Sequence, residues 1–210
     1  MNIFFLHFNT SKCAKMHVNK HVVKMLIEHV QMLSAAHHLT GSSFKPPYKL
    51  THKNHPCTIW TRKSLSNYLW LCDLTIQLCK EYTYRYGKIH KIEKEKYIQS
   101  LFENHPNIPD IGFTLPAQAM PVEYKTSDKI TDIIEVMISY HHYYFFEKSK
   151  ILEWKNRPIP DFIKNFQNNF EKTNNENENE NKINDLFIQM IDNVNLFELK
   201  KFIYQKFKDE

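Results

Sequence analysis

All nine prolines of this 210-residue chain fall into three clusters: Pro46, Pro47 and Pro56; Pro106, Pro109, Pro116 and Pro121; and Pro158 with Pro160. Proline removes a backbone donor and fixes φ, so each cluster denies helix locally and leaves the long stretches between free to form it. In those stretches apolar residues recur at helical spacing. Val22, Val23, Leu26, Ile27, Val30 and Leu33 mark a first long helix, opened by Asn19 and stopped by Gly41. Thr58 to Tyr86 reads as a second, with Leu65, Leu69, Leu71, Leu74, Ile76 and Leu78 apolar and Gly87 at its end. Ile92 to Glu103 is a shorter piece. Thr131 to Trp154 is a further helix, so aromatic at Tyr140, Tyr143, Tyr144, Phe145 and Phe146 that burial on two sides is expected. Before them, Thr10 or Ser11 caps a short helix to His17, and Asn2 to Phe8 forms one strand or an extended arm packed on the core.

The expected fold is therefore mainly α: a single compact helical domain with long Pro-rich loops and at most one short N-terminal strand. That domain covers residues 1–172. The run NNENENEN is polar and low in complexity, so residues 173–182 read as a flexible Asn/Glu linker. Residues 183–210 return to an amphipathic helix that either packs back on the domain or meets a protein partner.

Three glycines in the whole chain argue against a Gly-rich phosphate loop, and with it the nucleotide-binding α/β folds. No apolar stretch nears the roughly 20 residues that span a bilayer, and the opening segment lacks a basic leader and a cleavage site. No membrane partner is expected, and the location is intracellular: host cytoplasm, or the virion if the protein is viral. Cys13, Cys57, Cys72 and Cys79 form no CxxC pair, so free buried thiols are expected rather than a disulfide framework.

Charge is distributed unevenly. Residues 1–100 hold 15 Lys plus Arg against 5 Asp plus Glu, and the remainder 13 against 18. A basic half suits a polyanion, usually nucleic acid, although a lysine surface that merely keeps the chain soluble reads the same way.

At about 100° per residue, His17, His21, Lys24, Glu28 and Gln31 lie within roughly 40° of one line if the helix runs unbroken from His17. With Asn19 as the cap, His17 becomes a neighbouring loop residue instead. Imidazoles, an ammonium and a carboxylate in register are acid, base and nucleophile types. The same stripe also reads as a solvated face, with Lys24 and Glu28 an ordinary helix ion pair. His17 and His21, with Glu28 or His55, could ligate a divalent metal, but HExxH is absent. No metal and no cofactor is assigned.

The loop from Tyr48 to Trp60 interleaves Lys49, His52, Lys53 and His55 with aromatic rings, a pattern suited to phosphate contact and base stacking. Trp60 could equally anchor the loop to the core. In EYTYRYGK, Glu81 and Arg85 stand one turn apart. Arg85 and Lys88, with Lys53 and Arg62, are candidates to hold phosphate, and the alternative for Arg85 is a salt bridge beside core tyrosines.

The segments HVNKHVVKMLIEHVQML, THKNHPCTIW, NYLWL, EYTYRYGKIHK, NIPDIGFTLPAQAMPVEYK and the YHHYYFFEKSK helix resemble a protein family of tailed phages and large DNA viruses. The resemblance spans most of residues 1–162 and carries no activity with it. In layout alone the chain also resembles the small all-helical pyrimidine-dimer DNA glycosylases of the phage endonuclease V type. That resemblance implies a catalytic helix near the N-terminus, an attacking N-terminal amine and an assisting glutamate. Here Glu28 matches the glutamate, with Lys24 as the alternative in register. The opening Met1-Asn2 departs from the small first residue of those enzymes, and Lys24 is then the nitrogen that could replace the amine.

These readings converge on a virus-type DNA-processing protein, a base-specific glycosylase/lyase or base-modifying enzyme. Its catalytic candidates are Glu28, Lys24, His21 and His17, and Lys49, Lys53, His55, Trp60, Arg62, Arg85 and Lys88 would bind nucleic acid. Two alternatives stay open: a non-catalytic nucleic-acid-binding or assembly protein, and a metal-dependent hydrolase. The enzymatic reading requires His17, His21, Glu28, His55 and Arg85 to meet in one concavity.

Overall fold

A computed structural model describes residues 1–127 and 129–175, with side chains given to 168. The chain divides into two compact units, Met1–Asp161 and Phe162–Glu210. The linker and the last amphipathic helix expected from sequence lie outside the described residues. The fold is mainly α. Among the described residues there are eight α-helices and no strand: α1 Thr10–Met16, α2 Asn19–Leu39, α3 Pro56–Thr61, α4 Leu65–Tyr86, α5 Lys91–Lys94, α6 Tyr97–Glu103, α7 Ile133–Glu147 and α8 Asp161–Asn175.

In the first unit, α4 packs along both α1 and α2, α3 lies against α2, and α6 against α4. The first eight residues are an extended arm, not a strand. Ile3, Phe5 and Leu6 are completely buried, and each such side chain contributes about 1.5–3 kcal/mol by leaving water. Side chains satisfy its backbone in place of a neighbouring strand. The Asn2 Oδ1 accepts from the Ile3 and Phe4 amides at 2.8 and 3.1 Å, the Trp70 indole donates to Phe8 O, and His141 Nε2 bonds Leu6 O. Phe4 sits at φ +50°, a strained region for an aromatic residue. The Cys13 thiol and the Leu6 amide, both donating to its carbonyl, hold it there.

Helix ends follow local chemistry where that chemistry is local. Asn9, rather than Thr10 or Ser11, caps α1 by accepting from Lys12 N. Gly41 and Gly87 lie just past the ends of α2 and α4 at φ +68° and +63°, the left-handed conformation glycine adopts freely. The single helix expected over Thr58 to Tyr86 is two. Pro56 opens α3 early, at the first-turn position where a missing amide costs nothing, and the chain turns at Arg62 to Ser64. There Asp110 receives the Ser64 and Ser66 hydroxyls and the Ser66 amide, capping α4 from 44 residues away. The piece expected over Ile92 to Glu103 also breaks, at Lys96 with φ +55°. In the middle of α7, residues 136–141 are all buried. Six consecutive positions cover the full turn of a helix, so α7 is enclosed more completely than on two sides.

All four cysteines are free and buried. Burial pushes the Cys13, Cys57 and Cys79 thiols up to about 12. No described helix is long and apolar enough to cross a membrane.

Candidate functional site around Glu28

Glu28 lies in the middle of α2, facing the start of the chain. The turn at Asn2 to Phe4 folds the arm across it. The Asn2 amide donates to Glu28 Oε2 at 3.0 Å, the Met1 nitrogen stands 3.7 Å from the same oxygen, and Lys24 Nζ lies 3.3 Å from Oε1. The carboxylate is 11% exposed and Lys24 69%. One oxygen is thus held by the arm, while the other faces an ammonium that reaches water.

Asn2 fixes this arrangement. Besides its bonds within the arm, its amide nitrogen donates to Ala119 O at 2.8 Å. The Tyr140 hydroxyl stands 2.9 Å from Asn2 Oδ1 and 2.7 Å from Ala117 O, and accepts from Ala119 N–H at 3.4 Å. Every polar group of the Asn2 side chain is used, so the arm has one placement relative to α7 and the segment at 117–119. That segment is tied down in turn: the Thr114 amide donates to Asn67 Oδ1, and Asn67 Nδ2 donates to Thr114 Oγ1 and Trp60 O.

The N-terminal end of α3 completes the group. His55 caps it through Cys57 N. Burial lowers the His55 pKa, followed by the positive Met1 nitrogen and His52, with Glu28 opposing them. Cys57, raised mainly by burial, also senses the Met1 nitrogen, Glu28 and the Tyr140 hydroxyl. Thr58 Oγ1 is 3.9 Å from the Met1 sulfur. Met1, Asn2 and Lys24 therefore hold the Glu28 carboxylate directly, His55 and Cys57 feel its charge, and Tyr140 reaches it only through Asn2.

The rest of the expected stripe lies elsewhere. His17 is not on α2. It ends α1, fully buried, with Nδ1–H donating to Cys13 O at 2.8 Å, and burial lowers its pKa to about 4. His21 does face the arm, but as packing: Phe4 stacks on it at 4.1 Å and Tyr144 shares a 2.6 Å hydrogen bond. Burial brings its pKa down to about 3, so it is neutral at pH 7. Seven residues of helix separate it from Glu28, about 10 Å along the axis.

Among the expected nucleic-acid residues, Lys49, Lys53 and Lys88 are exposed and His55 is half-buried. Trp60 is buried against Trp70 and Phe113, its indole donating to Thr114 O, so its ring is closed to base stacking. Arg62 donates to Lys53 O and braces its own loop. Arg85 is 1% exposed, and all its bonds stay inside the protein: to Glu81 at 2.6 Å, Asn19 Oδ1 at 3.1 Å and Lys15 O at 3.0 Å. A guanidinium so enclosed packs the start of α2 against α4 and has no edge left for phosphate. Of the five residues required to converge, His55 feels the Glu28 charge without bonding to it, and His17, His21 and Arg85 do not join them.

No group of three or more His, Cys, Asp or Glu among the described residues is placed to hold a metal ion. Sequence reasoning missed Asn2, Cys57 and Tyr140. Asn2 carried a signal, as the polar residue opening an apolar arm. No protein-family model matches the chain, and comparison with curated proteins and with solved structures found no match.

Proposed function

We propose, on the Glu28 group alone since the wider convergence of His17, His21 and Arg85 does not form, that this chain is a DNA-processing enzyme of virus type that acts at the glycosidic bond of a nucleobase, with Glu28 as its acid/base group. The observation that carries the reading is the carboxylate held between two nitrogens, Met1 N at 3.7 Å and Lys24 Nζ at 3.3 Å. A carboxylate in that position can take an ammonium proton and free the lone pair. The amine then bonds to C1′ of the deoxyribose as the glycosidic C–N bond breaks, its electron pair leaving with the base. Glu28 passes the proton it took to the departing base, and a proton of the new secondary ammonium, relayed by Glu28 to O4′, opens the sugar ring to a protonated imine. The opening Met1-Asn2 departs from the small first residue of the endonuclease V type, so the exposed Lys24 Nζ is the nitrogen that supplies the lone pair in this reading. The exposed Lys49, Lys53 and Lys88, with the half-buried His55, suit DNA phosphates, and the free thiols suit a reducing compartment such as host cytoplasm or the virion interior.

Borohydride reduction during incubation with abasic-site duplex tests the reading. A covalent protein–DNA adduct forms, its peptide map locates the linkage on Lys24, and Glu28→Gln lowers trapping about 100-fold or more. No adduct with abasic or damaged duplexes overturns it. The basic first half, with Lys49, Lys53 and Lys88 exposed, equally suits a second reading, a non-catalytic nucleic-acid-binding protein. Salt-sensitive DNA binding unaffected by Glu28→Gln, without turnover, selects that one.

A further inference from the structure

The far end of α4 brings together rings and cations from several parts of the chain. Tyr82 and Tyr86 stand one turn apart with ring centroids 4.9 Å from each other, and the His90 ring lies 4.9 Å from Tyr82. The Tyr86 hydroxyl donates to Asn19 O at the start of α2. Asn19 Oδ1 accepts from Lys155 N, and Lys155 Nζ lies 5.5 Å from the centroid of the Tyr86 ring. Beneath them Arg85 Nη2 donates to Lys15 O, and Asn156 Nδ2 donates to Arg85 O at 3.4 Å. These bonds join the ends of α1 and α4, the start of α2 and the segment at 153–157, so the rings stand on a fixed base.

Both tyrosines are half-buried, and the lysines around them are exposed. Lys20 adjoins Asn19, Lys88 follows Tyr86 by two residues, and Lys91 adjoins His90. With Lys15 and Lys155 they set five ammoniums against two exposed carboxylates, Glu93 and Glu153. Glu81 adds no free charge, since Arg85 and Arg157 both pair with it. No acidic residue stands in the first turn of α2, so the amide end of that helix adds to the positive field. Ammoniums alone would suit any polyanion. The rings narrow the choice, because a base can stack on an aromatic face only where it is not enclosed in a duplex. A lysine beside the same ring is placed to meet the phosphate of the stacked nucleotide.

We propose that this end of α4 binds a single-stranded segment of nucleic acid, with Tyr82 and Tyr86 stacking on its bases and Lys20, Lys88, Lys91 and Lys155 meeting its phosphates. Glu28 stands nine residues along α2 from Asn19, about 14 Å of helix. The surface is therefore separate from the carboxylate and does not depend on the chemistry proposed there.

Fluorescence anisotropy with a labelled oligothymidylate of about 12 nucleotides tests the proposal. Wild-type protein binds it at low salt and loses affinity as salt rises. Lys88→Ser with Lys155→Ser lowers the slope of log affinity against log salt by about 1.4, roughly 0.7 for each phosphate contact removed. Lys45→Ser with Lys63→Ser removes the same charge at the opposite end of the α2 and α4 pair and leaves the slope unchanged. Tyr86→Leu weakens binding about 10-fold, whereas Tyr86→Phe, which loses the same bond to Asn19 but keeps the ring, does not. Tyr82→Leu and Tyr82→Phe repeat that comparison at the neighbouring ring. No binding at low salt, Leu variants that bind as the Phe variants do, or equal effects of the two lysine pairs each overturn the proposal. Polyglutamate of equal charge bound as tightly as the oligothymidylate also overturns it and assigns the surface to an acidic protein. Glu28→Gln binds the oligothymidylate as wild type does, so failed borohydride trapping leaves this proposal standing, and failed stacking leaves the reaction.

Discussion

Glu28 and Glu81 look alike in sequence, each a helical glutamate four residues from a cation, yet the fold treats them differently. Glu81 is 3% exposed and receives two guanidiniums: Arg85 Nε at 2.6 Å, and Arg157 at 3.0 and 2.9 Å through both its oxygens. Arg157 also lies over the Tyr84 ring. The group closes on itself and joins α4, the start of α2 and the segment at 153–157. Glu28 instead pairs with an ammonium that is mostly in water and with a nitrogen brought by the opening turn. The comparison teaches that equal spacing fixes which side chains can pair, whereas elements distant in the sequence decide whether the pair is sealed in the protein or left open to water.

The largest test of that contrast is Glu81→Gln. It leaves the buried Arg85 and the partly exposed Arg157 guanidiniums without their anion and should lower stability by about 3–5 kcal/mol in urea unfolding. A loss below about 1 kcal/mol would make the enclosed pair no stronger than a surface one.

Acid titration sharpens the same contrast. His17 and His29 are fully buried and neutral, with burial bringing their pKa values down from 6.5 to about 4 and about 3. Below pH 6.5 the unfolded chain gains protons that the native state refuses, so stability falls as pH drops, by up to about 1.4 kcal/mol per pH unit for each histidine. Burial would raise the Glu81 carboxyl, but the hydrogen bonds of Arg157 and Arg85 outweigh it and hold the group below 4.5. Its contribution is present above that value and is lost only as pH falls through the lower folded one. Unfolding free energy measured from pH 7.5 to pH 4 should therefore decline first in the histidine window. His29→Gln should flatten that window, and an unchanged slope would show that these imidazoles do not govern acid sensitivity.

The smallest effect belongs to Lys24→Met. The pair it breaks is solvent-exposed on the lysine side, so stability should change by no more than about 0.5 kcal/mol in the same urea assay. A change above about 2 kcal/mol would put Glu28 in the same class as Glu81 and erase the distinction.

Legibility follows the same division between near and far. Gly41 and Gly87 mark helix ends in the sequence because left-handed backbone is a property of one residue, and the proline clusters mark the irregular segments for a similar reason. The break before Ser64 is invisible there, since Asp110 makes it from another loop. So is the turn at Lys96, which no residue type announces. At the site, Glu28 and Lys24 are readable as a pair and His55 as a neighbour by composition. His17 ends α1, as the short helix expected to run to it predicts, so the unbroken stripe through His17 does not form; periodicity could not show that Arg85 would be enclosed by Asn19 and Lys15. Nor could it show that Asn2, 26 positions from Glu28, would lie against it.

The sealed thiols give the molecule a property of its own. Cys13 supports the arm, Cys57 lies in α3 beside the Glu28 group, and Cys72 and Cys79 lie two turns apart on α4. Each is silent toward alkylating reagents while its surroundings stay shut. The chain therefore carries four internal reporters, placed so that the order in which they become reactive traces which parts of the fold let go first.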